Sequence, residues 1–88
     1  MTYRERIITR LNEAFRPASL DVIDESHLHH GHSGWKDGGE THFRVRIVAD
    51  TFRGTTRLGR HRAINDALSA ELAERVHALA IDASAPED

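Results

Sequence analysis

Residues 41–50, THFRVRIVAD, alternate between an apolar and a mainly polar face: Phe43, Val45, Ile47 and Ala49 on one side, His42, Arg44, Arg46 and Val48 on the other. A period of two is the period of a β-strand, and one apolar face means a sheet covered on one side. In a chain of 88 residues this strand fixes the class, because there is room for one core only. A chain this short buries roughly 60–65% of the surface its unfolded form exposes, enough for independent folding with a modest margin.

The elements around that strand follow from their own periodicities. In YRERIITRLNEAF, residues 3–15, Ile7, Ile8, Leu11, Ala14 and Phe15 fall on one stripe at helical period. Thr2 with Glu5 makes a capping-box pattern, and Pro17 ends the helix by pushing its predecessor out of the α region. SLDVIDES, residues 19–26, reads as a first strand with Leu20 and Val22 inward, and His27 is expected at its end. After Gly54, Thr55 and Thr56 can cap a helix carrying Leu58, Ile64, Ala67 and Leu68, weakened by Gly59 and broken near Ser69 before Leu72. RVHALAIDA, residues 75–83, alternates Val76, Ala78 and Ala80 against His77, Leu79 and Ile81 and reads as a third strand. The expected order is α-β-β-α-α-β, an α+β fold with helices on one face of a three-stranded sheet. The last strand follows a helix, so a crossover and a mixed sheet are expected. The domain is expected to span residues 1–83, with 84–88 as a flexible polar tail.

Composition excludes more than it assigns. With no cysteine, neither disulfides nor a Cys-based zinc site is available, and any metal chemistry needs histidine, carboxylate or a partner's ligands. The charged start lacks the apolar run of a secretory signal, and no segment approaches the ~20 apolar residues of a membrane span, so a cytoplasmic location is expected. The net charge of -2 argues against nucleic-acid binding by bulk charge, although six of the twelve Lys and Arg residues lie between Arg44 and Arg62.

The segment HLHHGHSGWKDGGETHF, residues 27–43, holds five of the seven histidines and four of the six glycines. Such a loop between two strands is longer than a hairpin needs. Interrupted imidazoles in this setting are not a cloning tag. They read as a solvated loop, as an adventitious site for zinc, nickel or copper, or as a ligand source. A self-contained zinc site is the weaker reading, because structural zinc wants four closely placed ligands. His42 is expected to support its strand. No nucleophile–base arrangement stands out, and an enzyme is not expected.

Taken together, RERIITRLNEAF, VIDES, GGETHFRVRIVADTFRG, RLGRHRAI and ELAERVHALAI resemble the BolA family from about residue 4 to residue 82. The resemblance implies a fold related to the type II KH domain. It also implies a monothiol glutaredoxin as partner, with a 2Fe–2S cluster shared between them or an apo complex, in cluster trafficking and iron homeostasis. Bacterial members of the family are implied to act also as DNA-binding transcriptional regulators in stress response and cell morphology. His77 matches the histidine of the family's VHAL motif, which implies a cluster ligand. The family pattern places a second ligand in the loop after ES, which falls on His29 here. His30 and His32 are alternates, because the loop is longer than in shorter members. The glutaredoxin cysteine and a glutathione thiol would supply the rest, and histidine in place of thiolate raises a cluster's potential. For His77 the plain alternative is a strand histidine bonded to a backbone carbonyl.

The basic segment FRGTTRLGRHR carries the rival reading. Arg53, Arg57 and Arg60 can share a helix face, with His61 and Arg62 alongside. That surface could dock the partner, stand solvated with its arginines on Asp50, Asp66 or Glu71, or contact DNA phosphates, in that order of preference. KH domains clamp nucleic acid with a G-x-x-G loop. The match to that pattern here, GHSG at 31–34, lies between the strands. The isolated chain is expected to be a monomer or weak dimer.

Overall fold

Thr2 opens the first helix as expected: its backbone is extended and its Oγ1 accepts from Glu5 N at 3.0 Å. Helix α1 runs Tyr3–Phe15 and ends at Arg16, which takes a left-handed conformation (φ 46°) ahead of Pro17. The computed structural model describes residues 1–29 and 39–87. In chain order α1 is followed by β1 (Ser19–Asp24), a 3₁₀ turn (Ser26–His29), β2 (His42–Val48), a second 3₁₀ turn (Asp50–Phe52), α2 (Arg57–Ala67), α3 (Ser69–Glu74) and β3 (Ala78–Ser84).

The sheet order is β1-β2-β3, with β1 and β2 antiparallel and β2 and β3 parallel, so the mixed sheet is observed. Register lines up Leu20, Ile47 and Ala83 in one row and Val22, Val45 and Ile81 in the next. These rows pack against Ile7 and Leu11 of α1, Ile64 of α2, Leu68 and Phe52. The opposite face carries the row Asp21, Arg46 and Asp82, all exposed. The α-β-β-α-α-β order and the α+β class therefore hold, with the break between α2 and α3 at Leu68.

Several boundaries differ from the sequence reading. β1 stops at Asp24, because Ser26 turns the chain, so His27 lies in the 3₁₀ turn and does not end the strand. β3 starts at Ala78, not Arg75, because the chain leaving α3 still bonds back to Glu71 O through Arg75 N and Val76 N. The packed domain also reaches past residue 83: β3 continues to Ser84, and Ala85 is buried. Leu58 does not join the core; on the first turn of α2 it is 59% exposed. Thr56 caps that helix, its Oγ1 accepting from Gly59 N at 3.0 Å.

Two polar arrangements fasten the frame. The carboxylate of Glu71, fully buried in α3, receives Arg6 and Arg10 from α1. Arg6 reaches Oε2 at 2.7 Å through Nη2. Arg10 Nε stands 2.8 Å from each oxygen but is aligned with Oε2, leaving Oε1 paired by charge without a well-directed hydrogen bond. Burying a lone carboxylate is costly, and two guanidinium partners make it tolerable. Arg6 continues to Glu74 at 2.8 Å, and Tyr3 donates its hydroxyl to the same carboxylate at 3.1 Å. The hydrogen bonds from Arg6 and Tyr3 hold the Glu74 carboxyl below the usual carboxylate range.

The second arrangement closes the base of the long loop. Buried Ser26 donates its hydroxyl to Asp24 Oδ1, and its Oγ accepts from Thr41 N at 2.9 Å and His42 N at 3.2 Å. Asp24 Oδ2 accepts from Glu40 N at 3.2 Å, and Arg75 Nε donates to Gly39 O at 2.9 Å. Gly39 takes a φ of +70°, which strains any larger residue, although a Cβ there would meet Asp24 Oδ2 at an ordinary 3.4 Å.

Four outcomes are expected. Glu71→Gln should lower unfolding free energy by about 2 kcal/mol, less than for a fully buried pair because the arginines keep some water. Arg53→Ala, which breaks the exposed pair with Asp50 at 3.0 Å and an exposed hydrogen bond to Pro86 O at 3.3 Å, should cost less than about 1 kcal/mol in the same urea titration. Ser26→Ala should cost about 1–3 kcal/mol by orphaning buried backbone donors, and hydrogen exchange should quicken first at the Thr41 and His42 amides. With a depressed folded-state pKa, Glu74 contributes stability above the unfolded carboxylate value and loses it as pH falls through the folded one. The stability gap between the wild type and Glu74→Gln should therefore close on acidification below about pH 4.

Candidate functional site

The end of β1 and the beginnings of β2 and β3 lie at one end of the sheet, because Asp24, Phe43 and Leu79 share a register row. Whatever precedes β2 and β3, and whatever follows β1, is therefore gathered there. Thr41 is the junction. Its carbonyl accepts from His77 N at 2.6 Å and Ala78 N at 3.2 Å. Its hydroxyl lies 2.8 Å from His42 Nδ1, a hydrogen bond whose direction follows the histidine tautomer.

His77 occupies the connection from α3 into β3 and is exposed. His42, the first residue of β2, is buried at 6% exposure. Their rings face each other with centroids 5.2 Å apart and planes inclined by 52°. His77 is thus a solvent-facing imidazole with its backbone fastened and its ring against a buried neighbour. This differs from the plain strand histidine in one respect: the backbone N–H of His77 reaches a carbonyl, while its ring bonds to none among the described residues.

The 3₁₀ turn Ser26–His29 contacts β2, and its first residue, Ser26, is tied to Thr41 and His42 at this end of the sheet. His27 in this turn is exposed. His30 and His32, and the GHSG stretch, fall outside the described residues. Among the described residues no three His, Asp or Glu side chains converge as a metal centre. What they offer is one exposed imidazole with a second ring behind it. That pairing was not readable from the sequence, because a parallel register between β2 and β3 cannot be counted from residue spacing.

The basic segment is rearranged relative to expectation. Arg53, Arg57 and Arg60 do not share one helix face, because α2 begins only at Arg57 and Arg53 sits in the preceding turn, paired with Asp50 at 3.0 Å. Arg60 is committed to the fold: its guanidinium donates to Phe52 O and to Ala83 O, each at 3.0 Å, and its Nε to Thr55 Oγ1 at 3.0 Å. Glu71, considered as a partner for this segment, is taken by α1. Arg62 is exposed on α2. Arg44, Arg57, Arg60 and His61 line, with Asp82, a groove of about 410 Å³ between α2 and β3. Asp82 lies roughly 13 Å along the strand from Ala78, whereas Arg44 is level with Ala80, about 7 Å from it.

Comparison with known proteins gives this geometry its context. The family model described as BolA-like protein matches residues 11–88. A Sinorhizobium protein named for its place in the cobS 5' region is 53% identical over 87 residues, covering 98% of this chain and 94% of its own. The DNA-binding transcriptional regulator BolA of Escherichia coli is 46% identical over 81 residues, covering 92% of this chain and 73% of its own. Among solved structures, the BolA domain of SufE1 from Arabidopsis thaliana superposes with a TM-score of 0.88 at 42% identity, covering 98% of this chain and 94% of that one. With the family model spanning most of the chain and relatives above the threshold of common descent along nearly its whole length, the chain belongs to the BolA-like family.

Proposed function

We propose that this protein is an adaptor that pairs with a monothiol glutaredoxin and lends histidine ligation, through His77, to a 2Fe–2S cluster held between them. The observation that carries the reading is His77 itself: an exposed imidazole whose backbone is pinned to Thr41 O, in a chain with no cysteine. The donor set fits such a group. A neutral imidazole suits iron, and one presented ligand matches a cluster whose thiolates come from elsewhere. The shared cluster supplies electron-carrying or transferable iron–sulfur chemistry. This chain's part is to present the imidazole, and His29, at the same end of the sheet, is the proposed second ligand, with His30 and His32 as alternates.

Co-expression with a monothiol glutaredoxin should yield a coloured heterocomplex whose visible circular dichroism differs from that of the glutaredoxin homodimer. His77→Ala should alter that spectrum while the apo complex still forms. A spectrum indifferent to His77→Ala would remove the ligand assignment.

A second reading rests on a different feature. The groove lined by Arg44, Arg57, Arg60 and His61 offers positive charge, and the E. coli relative is named a DNA-binding transcriptional regulator. If the groove tracks a phosphate backbone, Arg57→Ala should weaken duplex binding and lower the slope of log K against log salt by about 1. Arg60→Ala is a poorer probe, since it also unfastens Phe52 and Ala83. Salt-independent binding, or none at physiological salt, counts against this reading.

A further inference from the structure

We propose that His42 is a positioning residue for His77, its buried ring fixing the direction in which the His77 imidazole is presented; this rests on the ligand role proposed above. Three observations converge on it. The two rings are 5.2 Å apart and inclined by 52°, a tilted contact of the kind aromatic pairs favour. His42 is itself immobilised: it is 6% exposed, its amide reaches Ser26 Oγ, and Nδ1 is tied to the Thr41 hydroxyl at 2.8 Å. The backbone of His77 is fixed by its own bond to Thr41 O at 2.6 Å. With its backbone held, the His77 side chain has two torsions left, and among the described residues His42 is the ring in contact with it.

The chemistry explains why a histidine pair is worth building here. A ligand on a surface connection would sample several rotamers, and each rotamer other than the binding one lowers its effective affinity. Groups behind a ligand that set its orientation commonly contribute ten- to a hundredfold, about the range seen for outer-shell partners of metal-binding histidines. His42 is not placed as a ligand, since its Nδ1 is engaged by Thr41 and its ring is covered.

The test begins with the isolated wild-type chain, where NMR couplings and ring proton shifts report the His77 side chain. A single dominant His77 χ1 rotamer with ring-current-shifted protons is expected. Free averaging in the wild type would overturn the proposal before any variant is made. His42→Ala, checked for folding by far-ultraviolet circular dichroism, should release the rotamer and remove the ring-current shift, and His42→Phe, which keeps a ring in place, should restore both. Equal averaging in the two variants would show that the ring contact is not what orients His77. In the loaded heterocomplex, His42→Ala should shed the cluster about tenfold faster than the wild type, with His42→Phe close to the wild type. If His77→Ala disturbs the cluster but His42→Ala changes neither rotamer nor loss rate, positioning is wrong and the ligand role stands. If His77→Ala has no effect on the cluster, the ligand role falls instead, whatever the rotamer measurements show.

Discussion

The backbone of Thr41 is where the structure is tied together. Its N–H goes to Ser26 beyond β1, its carbonyl takes the amides of His77 and Ala78 at the head of β3, and its hydroxyl meets His42. One fully buried residue thus joins three segments that are distant in sequence. Buried backbone groups must find partners, and here the partners come from the segments that carry the histidines. The geometry of the candidate site is in this sense a by-product of satisfying one residue's hydrogen bonds.

Elsewhere the fold separates what drives collapse from what specifies it. Phe43, Val45, Ile47, Ile7, Leu11 and Ile64 are almost wholly buried and supply the non-directional driving force. The charged groups do something else. Glu71, between Arg6 and Arg10, gains little over an apolar residue of similar shape, but it ties α3 to α1 through directed contacts that apolar packing does not supply. Arg60 plays a comparable part at the sheet edge. By donating to Ala83 O it occupies a carbonyl that β3, as an outer strand, would otherwise present to another chain.

Much of this was legible in the sequence, for identifiable reasons. Strict alternation in β2 and the helical stripe of α1 are local signals, and both elements lie where periodicity puts them. Thr2 and Thr56 act as caps because capping needs only a hydroxyl two or three residues from an unpaired amide. What local spacing does not encode is which face of an element meets the rest of the fold. Leu58 has the spacing of a core residue but sits on a first turn that faces water, and Arg60 has the look of a binding residue but is spent on carbonyls. His77 was singled out through a family resemblance, whereas its contact with His42 depends on a parallel register that no local pattern encodes.

That register has a consequence for the order of events in folding. β1 and β2 are consecutive strands, whereas β3 pairs with β2 across the whole of α2 and α3. Non-local parallel pairing of this kind is the slow part of assembling a small domain. A chain caught before that step carries both histidines of the pair yet has not brought them together. The contact between the two rings is therefore a product of the completed sheet, absent from any form of the chain in which the last strand has not yet docked.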